Sequence, residues 1–180
     1  MAVDPIRLRV LKKLTAALAE IHPDLPTPTS SKYVNDLRPS PEYPKGRVFR
    51  GRVLFGEKDP LPMISILEVP IPPEQVPSAP DNPARTGSWE LMIQGFAPDD
   101  YENPTDPAQV LLADVVMRLA VEKRRNRDFE LFDMGNTVTN IFIGVGVVRP
   151  PDEISDKAYF WLPLRLMMAE DLDDPYGDDE

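Results

Sequence analysis

The chain of 180 residues contains no cysteine and only one histidine, His22. The first absence removes disulfide frameworks, thiolate nucleophiles and thiolate metal sites, and is compatible with a reducing compartment. The second removes the usual base of a nucleophilic triad, because His22 stands before Pro23 at a predicted helix end, where a capping or solvated imidazole belongs. There is no run of about 18 consecutive apolar residues and no basic start followed by an apolar stretch, so neither a membrane span nor a secretion signal is predicted. Glycine is scarce, nine residues against 22 prolines. Proline at more than twice its average usage of about 5% predicts long, ordered loops.

What is present is ordinary globular material: 42% hydrophobic and 28% charged residues, in a length that buries roughly 70% of its unfolded surface in one core. The net charge is −10, but residues 170–180 (EDLDDPYGDDE) hold seven acids and no base, leaving −3 for the rest. The expectation is one domain over 1–169 and an acidic, flexible C-terminal tail over 170–180.

Asp4-Pro5 suits a helix start, and Leu8, Leu11, Leu14, Leu18 and Ile21 recur on one helical face, predicting a helix over 5–21 that His22-Pro23 stops. Six prolines between Pro23 and Lys45 predict an extended connection. In GRVFRGRVLFGEKDPLPMISILEVP (46–70), alternation predicts two strands around the turn 56–60, an antiparallel pair over 47–69 with Phe49, Val53 and Phe55 facing the core and Val48, Arg50, Arg52 and Leu54 facing away. A second proline-rich excursion follows (70–87), then a strand over 89–96. Asp106-Pro107 opens a second helix reaching about Lys123, with Ala108, Leu111, Leu112, Val115, Val116 and Leu119 as its apolar positions. A brief pairing at 129–133, a strand over 138–148 and a last strand over 158–168 complete the order.

This pattern predicts an α+β fold: an antiparallel or mixed sheet of about five strands, two helices packed on one face, and long Pro-rich loops. Two helices cover one face of such a sheet and leave the other uncovered. That face is expected to present Arg50, Arg52, Glu90, Gln94, Asn140, Tyr159, Trp161 and Arg165, a mixture suited to inter-subunit or partner contact.

No pattern specifies a reaction. DLDDPYGDDE lacks the spacing and glutamate of a calcium loop. IGVGVV (143–148) lacks the third glycine, lysine and following helix of a phosphate loop, so its glycines read as points of close backbone approach in a strand. Asp99-Asp100 follows Pro98 as turn chemistry. The run KRRNR (123–127) complements a helix C-terminus, and no nucleic-acid motif accompanies it. The sequence therefore predicts no enzyme, no cofactor and no metal site.

The layout resembles the tail terminator (tail completion, minor tail protein U-like) proteins of long-tailed bacteriophages. The resemblance lies in the initial amphipathic helix, GRVFRGRVLFGEKDPLPMISILE, WELMIQGFAPDD, the second helix NPTDPAQVLLADVVMRLA and the closing strand AYFWLPLRLMM, and spans about residues 4–175. It implies a virion protein at the head-proximal end of the tail, assembled in the host cytoplasm. Such a subunit forms a homo-oligomeric ring, commonly a hexamer, that caps the tail tube, stops its polymerisation and offers a surface to the neck or head-completion protein. DNA would pass without specific binding, eased by an acidic lining that repels phosphate. A neck or head-tail connector subunit of the same particle is the nearest alternative. A monomeric binding domain, or an enzyme using only carboxylates and arginine, is the alternative of another class.

Overall fold

The computed structural model describes residues 4–53, 55–56, 58–70, 83–128 and 131–177. Two helices, α1 (Ile6–Ala19) and α2 (Asp106–Arg125), pack on one face of a six-stranded mixed sheet built from β1 (Val48–Arg50), β2 (Met63–Glu68), β3 (Ala84–Phe96), β4 (Val138–Ile143), β5 (Val147–Arg149) and β6 (Tyr159–Asp171). The spatial order is β1-β2-β3-β6-β4, with β5 pairing the first residues of β6. This is the expected α+β arrangement, with six strands instead of about five.

β3 and β6 are the spine. They pair antiparallel over thirteen residues each, from Ala84↔Asp171 to Phe96↔Tyr159. Alternation sends Trp89, Leu91 and Ile93 from β3, and Phe160, Leu162, Leu164, Leu166 and Met168 from β6, toward the helices. There they meet Val10, Leu14 and Leu18 of α1 and Leu111, Val115 and Leu119 of α2 in one buried core.

Several boundaries differ from expectation. The pair over 47–69 is not an antiparallel hairpin: β1 runs parallel to β2, in the register Val48↔Ile64 to Arg50↔Ile66. Gly51, at φ +66°, ends the first strand, and the chain takes the twelve residues 51–62 to return in the same direction. The expected facing is also reversed. Val48 is buried in the helix-side core, whereas Phe49 and Phe55 pack with Met63, Phe96 and Tyr159 on the opposite side. The expected turn does form, with Asp59 N–H donating to Gly56 O.

The strand expected over 138–148 is two, because Gly144–Gly146 interrupts it. Residues 131–133 form a 3-10 turn instead of a strand, and 129–130 lie outside the described residues. Most of the second proline-rich excursion (71–82) lies outside them as well.

The first proline-rich connection is held by specific contacts. Tyr33 and Leu37 are buried in the core, and Leu37 N–H donates to Ile21 O. Asp114 of α2, buried, accepts from the backbone N–H groups of Val34 (3.0 Å) and Asn35 (2.8 Å) and from the Asn35 side-chain amide. One carboxylate thus supplies the hydrogen bonds that a proline-broken segment cannot form with itself.

The start of α1 has no side-chain cap; Ile6 N–H instead donates to Pro175 O, and the Arg9 guanidinium donates to Tyr176 O. The acidic end is therefore divided: Glu170 and Asp171 close β6, residues through Gly177 turn back over α1, and 178–180 lie outside the described residues.

Glu170 also fixes the start of α1 to the sheet. Its carboxylate accepts from Arg7 (2.7 and 3.0 Å) and from Arg85, and the Arg7 guanidinium lies 5.1 Å over the Trp89 ring. The Arg7 hydrogen bonds, helped by Arg85 and opposed by burial, hold the Glu170 carboxyl below its usual value near 4.5. A depressed folded-state pKa contributes stability that is complete above the unfolded value and lost as pH falls through the folded one. Glu170→Gln is expected to cost about 2 kcal/mol at neutral pH and to flatten the stability loss as pH falls below the ordinary value near 4.5. Urea unfolding at several pH values checks this; identical pH slopes for the two proteins would contradict it.

Candidate functional site

The uncovered face of the sheet is set by the alternate residues of β3 and β6. Across the central pair, Glu90 stands opposite Arg165, Met92 opposite Pro163, and Gln94 opposite Trp161. β4 and β5 extend the rows with Phe142 opposite Arg165 and Val147 opposite Trp161. Glu90 and Arg165 form a cross-strand ion pair, so the charge at the centre of the face is internally balanced.

At one end of this face the aromatic residues gather. Phe55 and Phe96 have ring centroids 4.5 Å apart, Phe96 and Tyr159 5.9 Å, and Tyr159 and Trp161 5.5 Å in an edge-on contact. The buried Tyr159 hydroxyl donates to Asp152 (2.8 Å). Burial, then this hydrogen bond, raises the Tyr159 pKa.

Five of the seven expected contact residues, Glu90, Gln94, Tyr159, Trp161 and Arg165, are brought together here, and Asn140 stands opposite Met167 in the same sheet. Arg50 is not among them. It belongs to the helix side, where its guanidinium donates to Thr15 Oγ1 (3.2 Å), because parallel pairing sets Val48 and Arg50 beside Ile64 and Ile66, whose side chains enter the helix-side core. Arg52 lies beyond the strand, its guanidinium 4.6 Å from the Phe49 ring and 5.2 Å from the Phe55 ring, paired with Asp59. It braces the aromatic end of the face without sharing a row with Glu90. Of the eight residues predicted to share this face, Tyr159 and Gln94 are buried, so Trp161 and Arg165 carry most of its reach.

Sequence reasoning missed the wall of this face. The described residues of the connection 51–62 fold over the sheet instead of extending it, and with residues 154–157 they line a cleft of about 400 Å³. Phe55, Leu61, Met63 and Phe96 form its apolar floor, with Ile154, Asp156, Lys157 and Asp59 at the rim. Asp59 is held below the usual carboxylate range, first by the Gly56 N–H and then by Arg52. Met63, opposite Phe96 in β2, sits at a position whose parity gave part of the signal, whereas Phe55 lies in the connection, where no alternation applies.

Two polar residues singled out in the sequence, His22 and Asp100, have local partners. His22 Nδ1 accepts from Asp24 N–H (3.2 Å), and Asp100 accepts from the N–H groups of Glu102 and Asn103. Among the described residues no group of three His, Asp or Glu side chains is arranged to hold a metal ion, and no helix is long and apolar enough to cross a membrane.

These features define an α+β domain whose mixed sheet is covered by helices on one side only, with an aromatic, methionine- and arginine-bearing surface on the other. No family model matches the chain, and no curated protein matches it in sequence.

Proposed function

We propose that this protein is a structural assembly subunit, the tail terminator of a long-tailed bacteriophage, acting as a ring on the end of the tail tube where the head attaches. The observation that carries the reading is the uncovered sheet face, on which Met92, Trp161, Pro163, Phe142 and Val147 leave apolar surface around one balanced ion pair. Residue types of this kind dominate protein contacts. A domain that closed all its apolar surface internally would not retain such a face. The layout that resembles the terminator family supplies the particular assembly: copies of the chain as neighbours, the tube below and the neck protein above.

Electron microscopy of the purified chain mixed with tail-tube protein tests this. The expected result is rings seated on tube ends and tubes of limited length. Tubes that grow unchanged, with the chain absent from their ends, would contradict the terminator role. Rings that bind a neck protein but never the tube would favour the connector reading instead.

A further inference from the structure

The cleft lined by the described residues of 51–62 and by 154–157 combines an aromatic floor with a rim whose charges already have counter-ions. In the floor the Phe55 and Phe96 rings lie 4.5 Å apart, tilted at 53°, and Leu61 and Met63 complete it. Ring edges, ring faces and a thioether all favour an aromatic guest.

Three lining residues are charged: Asp59, Asp156 and Lys157. Asp59 pairs with Arg52 and accepts from the Gly56 N–H (2.6 Å). Lys157 pairs with Asp99 (2.6 Å) and lies 3.7 Å from Asp156. A guest of either charge would lose its hydration there and find each opposite charge already engaged. An uncharged guest carries no such penalty.

The apolar surface also continues past the mouth of the cleft. Val53, 66% exposed, and Ile154, 62% exposed, line it and reach solvent. Its volume of about 400 Å³ is at the small end of the roughly 300–1,000 Å³ of ligand pockets. A small interior with apolar lips suits an anchor that belongs to a longer segment.

This chain supplies no such anchor among its described residues. Its exposed aromatic side chains are Tyr101, Phe142 and Tyr176. Tyr101 stands between Asp100 and Glu102, Tyr176 lies two residues from both Asp174 and Asp178, and Phe142 is held inside paired strand β4. The occupant that fits is a different protein.

We infer that the cleft binds an extended, uncharged segment of a partner protein, anchored by one aromatic side chain against Phe55, Phe96 and Met63, with the residues flanking that anchor running over Val53 and Ile154. The inference goes beyond the assembly reading and does not require ring formation.

The full-length chain is titrated with the peptide acetyl-Gly-Ser-Trp-Ser-Gly-amide, with versions carrying Lys or Glu in place of the Trp, and with N-acetyltryptophanamide, while the methyl resonances of Met63 and Ile154 are followed. The Trp peptide is expected to move both resonances saturably, and the Lys and Glu peptides to bind about tenfold more weakly or worse. N-acetyltryptophanamide, which lacks the flanking residues, is expected to bind more weakly than the Trp peptide. Ile154→Asp, a change at an exposed position, is expected to weaken the Trp peptide about fivefold or more with circular dichroism unaltered. Resonances that the Trp peptide leaves unmoved, or that the charged peptides move with equal affinity, would overturn the inference, as would an Ile154→Asp chain that binds the Trp peptide unchanged. Equal affinity for N-acetyltryptophanamide would make the cleft a small-molecule site, and self-assembly abolished by Ile154→Asp would make its occupant a second copy; either result overturns the partner segment. Failure of the titration while rings still form on tube ends would leave the assembly reading standing.

Discussion

Replacing Arg118 by alanine is expected to destabilise the fold by about 3–5 kcal/mol, a large share of the ~5–15 kcal/mol that holds a typical domain. Arg118 crosses from α2 to the end of α1. Its Nε donates to the Ala17 carbonyl (3.0 Å), one of the last-turn carbonyls that have no partner within their own helix. Its two terminal nitrogens donate to Glu122 (2.8 Å) and Glu20 (2.7 Å). Glu122 is 2% exposed and without Arg118 keeps, among the described residues, Arg125 at 3.3 Å, so the variant leaves a buried carboxylate with a weak partner there. The same reasoning predicts partial recovery. In Arg118→Met combined with Glu122→Met both buried charges are gone, and most of the lost stability is expected to return. Chemical unfolding of the single and double variants checks this; a double variant less stable than Arg118→Ala would contradict the buried-charge explanation.

Gly95→Ala is expected to lower the melting temperature by roughly 6–12 °C, from about 3 kcal/mol of overpacking. Gly95 of β3 stands opposite Phe160 of β6, whose fully buried ring lies across the glycine on the helix side. A Cβ there would sit 2.1 Å from Phe160 Cε1 and 2.5 Å from Cζ. The ring is fully buried in the core, whose close packing resists its displacement. Shortening it relieves the clash: Gly95→Ala with Phe160→Leu is expected to melt above Gly95→Ala alone. Equal melting temperatures for Gly95→Ala and the unsubstituted chain would show that the spine tolerates side chains at this point.

Both positions bear on what the sequence disclosed. The helices were legible from their three-and-four spacing, and α2 from Asp106-Pro107 at its start to Lys123, Arg124 and Arg125 in its last turn. The covered face of β3 and β6 was legible because both strands alternate over long stretches, which also placed Glu90, Gln94, Trp161 and Arg165 on the opposite side. The stripe Asp114, Arg118 and Glu122 was not read, although its four-residue spacing along one helix face was present. Charge at those positions resembles a solvated surface until tertiary contacts with α1 and the proline-rich connection bury it. The parallel pairing of β1 was obscured for a related reason. Short-range alternation continued through Arg52 and Phe55, whereas a single glycine at positive φ redirected the chain. The cleft depends on that redirection and on residues about a hundred positions apart, beyond any local pattern.

The account turns on whether the uncovered face joins protein to protein. Sedimentation of the purified chain over a wide concentration range, alone and with tail-tube protein, measures this most directly, with Trp161→Glu as the comparison. The account predicts a closed assembly of several copies for the unsubstituted chain and a folded single subunit for Trp161→Glu. A single subunit under every condition, or an assembly indifferent to Trp161→Glu, would contradict it.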